Sequence, residues 1–330
     1  MEMYQNKYHD LDLSQHSFLV TGGAGFIGSH ICEYLMKNNA KLVRVLDNLM
    51  TGNYANIQRW EDEPNFEYME GDIRDTSTCI KACTGIDFVS HQAALGSVPR
   101  SIKDPVRTNS INTDGFLNML VAAKECNVKR FVYASSSSVY GDEPNLPKVE
   151  ERIGNPLSPY AVSKATNELY SKVFCSTYGM EIIGFRYFNI FGPRQDPNGP
   201  YAAVIPIFID HLEKKMPVYI DGDGMQTRDF TFVENAVQAN IRGMLTLNKA
   251  AIGETYNIAF GKNYTVNHLY NVIQKGMDSN QDAIHRETRA GDVRNSLADI
   301  SKAEKLLNYK PLFSFEDGMV ITLKSYLNKK

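Results

Sequence analysis

No stretch of these 330 residues approaches the roughly 20 consecutive apolar residues that a helix needs to cross a bilayer. Met1 to His16 is polar and holds no apolar segment of the kind an export signal carries. These two absences predict a cytoplasmic protein with no membrane partner. A basic excess is missing too: 35 Lys and Arg stand against 38 Asp and Glu, a net charge of −3, so nucleic acid is not an expected partner. Cysteine is scarce. Cys32, Cys79, Cys83, Cys126 and Cys175 are odd in number and contain no C-x-x-C pair, which predicts reduced packing residues and no metal site. There is no low-complexity tract and no internal repeat, and 43% hydrophobic residues over this length suffice for one large core and a smaller lobe.

What is present is an alternation. Strand patterns near 17–21, 42–47, 66–69, 87–91, 130–135 and 182–187 are separated by helix patterns near 26–38, 76–83, 109–126 and 160–177, the signature of parallel βαβ units. The first strand runs into Thr21-Gly22-Gly23-Ala24-Gly25-Phe26-Ile27-Gly28. Glycines 23, 25 and 28 fit G-x-G-x-x-G and glycines 22, 25 and 28 fit G-x-x-G-x-x-G; either way the missing Cβ atoms permit a tight turn, close approach to a pyrophosphate and close helix packing. The helix that follows presents free N–H groups and a positive dipole end to those phosphates. The second strand ends at Asp47, 19 residues past Gly28, where a carboxylate accepts from adenosine ribose hydroxyls and repels a 2′-phosphate. NAD is therefore expected over NADP. Asp72, after the third strand, falls near the adenine edge.

Later in the chain, Ser158-Pro159-Tyr160 starts a helix with Ser158 as N-cap and Pro159 in the first turn, which puts Tyr160 and Lys164 on one face. Gly192 to Pro200 is too rich in proline and glycine for regular structure and reads as a functional loop. Segment 229–260 returns to an α/β pattern.

With these residues on the page the chain resembles the extended short-chain dehydrogenase/reductases, within them the UDP-sugar 4-epimerases, and most closely the UDP-N-acetylglucosamine 4-epimerase subgroup. The resemblance covers nearly the whole chain and rests on the glycine run, Asp47-Asn48, Gly71-Asp72-Ile73, His91-Gln92-Ala93-Ala94, Ser136 to Gly141, Tyr160 with Lys164, Arg186 to Asn189, Arg228-Asp229-Phe230 and Arg289 to Asp292. It implies a Rossmann-type α/β fold, a doubly wound parallel sheet with a smaller, discontinuous α/β substrate lobe. Residues 1–189 with 229–260 would form the NAD domain, and 190–228 with 261–330 the UDP-sugar lobe.

The same resemblance implies that Gly22, Gly25, Phe26, Ile27, Gly28, Asp47, Asn48, Asp72, Ile73, Gln92, Ala93 and Ala94 bind NAD, together with Tyr160 and Lys164. Tyr160 would be the general base, Lys164 would hold the nicotinamide ribose, and Ser136 would bond the sugar O4, with Ser137 or Ser138 as alternatives. A phenol of ordinary pKa about 10 must lose roughly three units, about 4 kcal/mol, to act as a base near neutrality. The Lys164 ammonium and the nicotinamide charge are expected to supply that.

In the second lobe Arg228 and Arg289 would grip the diphosphate, Asn189 would donate to a phosphate and Asp292 would accept from the uridine ribose. Ser296 falls where members restricted to UDP-glucose and UDP-galactose carry tyrosine, so a 2-acetamido group would fit. Gly96, Ser97 and Gln195 resemble the small, polar lining of the N-acetyl-preferring subgroup. Relatives that dehydrate the sugar resemble Thr-Asp-Glu at the positions of Ser136, Ser137 and Ser138, and those carboxylates are absent here. The expected activity is NAD-dependent C4 epimerisation of UDP-N-acetylhexosamines for polysaccharide synthesis, by a homodimer paired through helices 109–126 and 160–177. A UDP-uronic acid epimerase or dehydratase, and a non-catalytic NAD-binding sensor, stand as alternatives.

Overall fold

The structure is a computed structural model that describes residues 3–197, 202–288 and 294–328. Its first half alternates β1 (Ser17–Thr21), α1 (Phe26–Lys37), β2 (Leu42–Asp47), β3 (Phe66–Glu70), α2 (Thr76–Cys83) and β4 (Phe88–His91). Two short helices, α3 (Val98–Lys103) and α4 (Pro105–Asn109), lead to α5 (Gly115–Glu125), β5 (Arg130–Ser136), α6 (Pro159–Tyr178) and β6 (Ile182–Tyr187). Then come β7 (Ile190–Phe191), α7 (Val204–Glu213), β8 (Tyr219–Asp221), β9 (Thr227–Arg228), β10 (Thr231–Phe232), α8 (Val233–Leu245) and β11 (Thr255–Ile258). The chain ends with β12 (Tyr264–Thr265), α9 (Val266–Gly276), β13 (Ile284–Arg286), α10 (Ser301–Leu307) and α11 (Phe315–Leu327).

Seven strands form one parallel sheet in the order β11-β6-β5-β4-β1-β2-β3. Strands buried on both faces must be apolar throughout, and β1 is buried at all five residues. One face packs Ile31, Tyr34 and Leu35 of α1 with Val237, Ile241 and Met244 of α8. The other packs Cys79 and Cys83 of α2 with Phe116, Met119 and Leu120 of α5 and Phe174 of α6. This is a Rossmann-type doubly wound sheet. Its order reverses between β1 and β4, where a crevice opens at the carboxyl ends of the strands.

A separate apolar cluster gathers Phe191, Phe208, Phe230, Phe232, Leu269, Phe313, Phe315 and Met319 around α7, α9 and α11. Three two-stranded pairings accompany it: β7 with β10, β9 with β12 and β8 with β13. The helix expected over 109–126 begins earlier and is interrupted. Asp104 caps α4 at the Arg107 N–H, Pro105 occupies its first turn, and Ser110–Asp114 is a wider π-type turn before α5. The widening turns Asn112 inward, where its amide accepts from the Leu95 N–H at 2.7 Å and donates to the Leu95 carbonyl at 3.0 Å. Residues 3–16 have structure that their polarity did not announce. Tyr4 donates its N–H, and Tyr8 its hydroxyl, to Glu234 of α8, at 2.8 and 2.6 Å.

Candidate active site

The turn after β1 is shaped by two glycines. Gly22 has φ 66°, donates to the Leu46 carbonyl at 2.8 Å, and lies so close to the chain leaving β4 that a Cβ would stand 2.7 Å from the Ala93 nitrogen. A Cβ on Gly28 would stand 2.2 Å from the Gly22 carbonyl oxygen. Only bare backbone fits both places. Gly25 caps α1 without a side chain, so the first N–H groups of that helix are left for a ligand.

A cleft of about 400 Å³ lies along this turn at the switch point. Gly22, Gly25, Phe26, Ile27 and Gly28 form its floor. One end is lined by Asp47, Asn48, Asp72 and Ile73, and the side toward β4 by Gln92, Ala93, Ala94 and Gly96. Ser136, Tyr160, Lys164 and Asn189 line the remaining wall, so all fourteen residues expected to hold the dinucleotide meet in one cavity.

The carboxylates at the first end are already engaged. Asp47 accepts the Ala24 N–H at 3.0 Å and the Leu49 N–H at 2.8 Å, and burial pushes its carboxyl above the usual range. A carboxylate offers about four acceptor positions, so a ribose diol can still be bound beside these two. Hydrogen bonds from the Arg74 side chain hold Asp72 down to about 2, and Asn48 donates to it at 2.9 Å.

At the other end, Ser158 accepts the Ala161 N–H at 3.2 Å and starts α6, which places Tyr160 and Lys164 on its sheet-facing side. Lys164 is 2% exposed and its Nζ donates to the Ala134 carbonyl at 2.7 Å. That nitrogen lies 6.0 Å from the centre of the Tyr160 ring. Burial pushes the Tyr160 phenol above its ordinary value, with the Ser136 hydroxyl pulling the other way. The Lys164 and nicotinamide charges expected to lower the phenol would have to overcome that desolvation as well.

The serine run separates by contact. Ser136 lines the cleft and accepts the Ser138 N–H at 3.2 Å, while Ser138 Oγ is buried with no partner among the described residues. Neither Ser137 nor Ser138 lines the cleft. Asn189, at φ 36°, lines both the cleft and a smaller cavity of about 210 Å³ that also holds Arg228. Arg228 donates to the carbonyls of Thr227 and Arg294, at 2.9 and 3.2 Å.

Ser97, Gln195 and Ser296 stand outside the cleft. Ser97 caps α3 at the Arg100 N–H, and Gln195 donates to the Ile190 carbonyl at 3.0 Å within its own loop. Ser296, half-buried, donates its N–H to the Thr227 carbonyl at 3.1 Å, beside Arg228. Arg289 and Asp292 lie outside the described residues, as do 198–200 of the glycine- and proline-rich loop. Reading the sequence missed Leu95 on the cleft wall and the Asn112 clamp behind it. Nothing local in the sequence marks them, because the two lie 17 residues apart. Tyr187, contained in the Arg186 to Asn189 motif without a role, lines the same cleft and donates to Gln92 at 3.2 Å.

Residues 18–259 match the NAD dependent epimerase/dehydratase family, and the chain belongs to that family. Within it the relatives place the protein among NAD-dependent UDP-sugar 4-epimerases, enzymes of the isomerase class. The UDP-glucose 4-epimerase of Mycolicibacterium smegmatis is 33% identical over 94% of this chain and 98% of its own. Among solved structures, UDP-N-acetylglucosamine 4-epimerase from Methanobrevibacter ruminantium M1, in complex with UDP-N-acetylmuramic acid, superposes with a TM-score of 0.90 at 39% identity, covering 96% of this chain and 99% of that one. UDP-glucuronic acid 4-epimerase from Bacillus cereus, in complex with UDP-glucuronic acid and NAD, gives 0.88 at 32% identity, covering 95% and 100%. The cofactor is NAD, and the bare-backbone turn at Gly22 and Gly28 with an open helix N-terminus fits its pyrophosphate. No described helix is long and apolar enough to cross a membrane.

Proposed function

We propose that this protein interconverts UDP-N-acetylglucosamine and UDP-N-acetylgalactosamine by epimerising C4 through a transient 4-keto sugar. One observation carries the choice of reaction: among the described residues the only carboxylates lining the cleft are Asp47 and Asp72, at the end away from Tyr160, and serines occupy the positions next to the base. Eliminating water from a sugar needs an acid and a base beyond the tyrosine, and this wall offers none. NAD, when bound, accepts a hydride from C4 and returns it to the opposite face, with no net oxidation.

The chain's residues do the rest. Tyr160 takes the proton from O4 and gives it back, Ser136 holds O4 toward that phenol, and Lys164 holds the nicotinamide ribose and adds positive charge beside the base. Arg228, Arg289 and Asn189 grip the diphosphate and Asp292 the uridine ribose, which leaves the hexose free to turn over between the two transfers. In this reading the NAD domain is 1–189 with 229–260, and the UDP-sugar lobe is 190–228 with 261–330. The 2-acetamido group is admitted by Ser296, a small side chain beside Thr227, with Gly96, Ser97 and Gln195 as further lining. The relative solved with UDP-N-acetylmuramic acid, an N-acetylated nucleotide sugar, supports that choice.

The test is a panel of UDP-sugars given to purified protein without added NAD. Interconversion of the two N-acetylhexosamines is expected. Steady formation of NADH, or release of a 4-keto-6-deoxy sugar, would overturn the reaction, and faster turnover of UDP-glucose or UDP-glucuronic acid would overturn the substrate.

A further inference from the structure

Glu168 follows Lys164 by one helical turn and Tyr160 by two, so the three share a face of α6. Its carboxylate is buried and fully engaged. One oxygen accepts the Ser135 hydroxyl at 2.6 Å and Arg186 Nε at 2.9 Å, and the other accepts the second Arg186 nitrogen at 2.8 Å. Arg186, on β6, also donates to the Glu150 carbonyl at 3.0 Å and lies 4.9 Å from the centre of the Tyr140 ring. Ser135 stands on β5 between Ala134, whose carbonyl receives Lys164, and Ser136, whose hydroxyl meets Tyr160. The tie from α6 to the sheet is thus inserted between the two contacts that aim the pair.

A buried ion pair is weak evidence for stability, since apolar side chains of similar volume often serve as well. Its placement here points to another use. We propose that Glu168 is a positioning residue for Tyr160 and Lys164: it seats α6 on β5 and β6 through Ser135 and Arg186, one helical turn from Lys164. The inference rests on the reading of Tyr160 and Lys164 as the reacting pair.

The charges around the lysine support it. Burial pushes Lys164 down to about 8, and Glu168 pulls in the opposite direction. From β4 the lysine faces His91, which burial holds down to about 3 and therefore neutral. From β5, Tyr133 faces Glu168, and burial holds its phenol protonated, well above its ordinary value. From β6 comes Arg186, and behind it Tyr140, also raised by burial to about 12. Glu168 is the only carboxylate among these groups.

Glu168→Gln keeps the size of the side chain and most of its hydrogen bonding and removes the charge. In the full-length protein as purified, the pH midpoint of Lys164, followed by the carbon NMR shift of its isotope-labelled side chain, is expected to fall by about one unit. The alkaline limb of the kcat profile should move down with it, on whichever UDP-sugar the wild-type protein turns over. An unchanged midpoint and limb would reduce Glu168 to packing and overturn the proposal. Should the single variant fail to fold with Arg186 left unpaired, the fall is read instead between Arg186→Gln and Glu168→Gln combined with Arg186→Gln, since both lack the arginine charge, and equal midpoints there would overturn the proposal. If the wild-type protein turns over no UDP-sugar, the proposed function fails while the NMR midpoint still decides this inference.

Discussion

The Lys164 ammonium donates to the carbonyl of Ala134, 30 residues earlier in the chain, and so joins the helix that carries Tyr160 to the strand that carries Ser136. Burial opposes ionisation of the Tyr160 phenol beside it. On this geometry Tyr160→Phe removes the proton acceptor and leaves the cleft's shape. Turnover should fall about 10²- to 10⁴-fold, with UDP and NAD affinity within about twofold measured by calorimetry; unaltered turnover would mean another base.

Gly28→Ala should expel the cofactor. The new methyl would meet the Gly22 carbonyl at 2.2 Å, and overpacking of this kind costs about 1–3 kcal/mol. Spread into the turn that holds the pyrophosphate, that is about five- to 150-fold in NAD affinity. NAD released on denaturing the purified variant should be correspondingly scarce, and full retention would contradict the fit.

Stability should fall in mild acid through two histidines. His30 and His91 are buried, and burial pushes each imidazole down to about 3. Unfolded, they protonate near pH 6.5. Between those values the unfolded chain binds more protons, so stability rises with pH and is lost as pH falls through the window, by up to about 1.4 kcal/mol per unit for each histidine. His30 donates from Nε2 to the Pro193 carbonyl at 3.0 Å, and Nδ1 of the neutral ring accepts the Tyr4 hydroxyl. His30→Gln should therefore lower Tm near neutrality yet flatten its dependence between about pH 6.5 and 5; the wild-type slope in that variant would contradict the assignment.

A homodimer is expected through α6 and the α3–α4 pair. Leu169 and Val173 on α6 are 64% and 52% exposed, and Ile102 and Val106 are 63% and 79% exposed, on the same side of the sheet. Ile102 and Val106 precede the helix expected over 109–126, and α5, the later part of that helix, shows no large exposed apolar side chain. Leu169→Glu should shift the mass in light scattering from dimer to monomer at micromolar concentration. A wild-type monomer with full turnover would rule the pairing out.

Ser296→Tyr tests the substrate. Turnover of N-acetylated sugars should drop at least about tenfold, the effect of about 1.4 kcal/mol in the reacting pose. UDP-glucose and UDP-galactose should lose far less. A constant ratio of kcat/KM values would move the acetamido contact to Gly96, Ser97 or Gln195.

The strands and helices of the first half, and the cofactor cleft with them, were legible in the sequence because each signal there is local. A fully apolar strand, a glycine turn and a capped helix with Tyr160 and Lys164 four apart are set by backbone sterics and side-chain spacing within a few residues. What only the tertiary structure decided depends on distant partners. The Glu168–Arg186–Ser135 tie spans three elements, the Asn112 clamp needs the π-type turn to point inward, and Tyr4 and Tyr8 are buried only because Glu234 of α8 awaits them. The ionisation of Tyr160 belongs with these. Its neighbours in sequence favour a lowered phenol, and burial in the folded cleft raises it, since desolvation depends on everything packed around the ring.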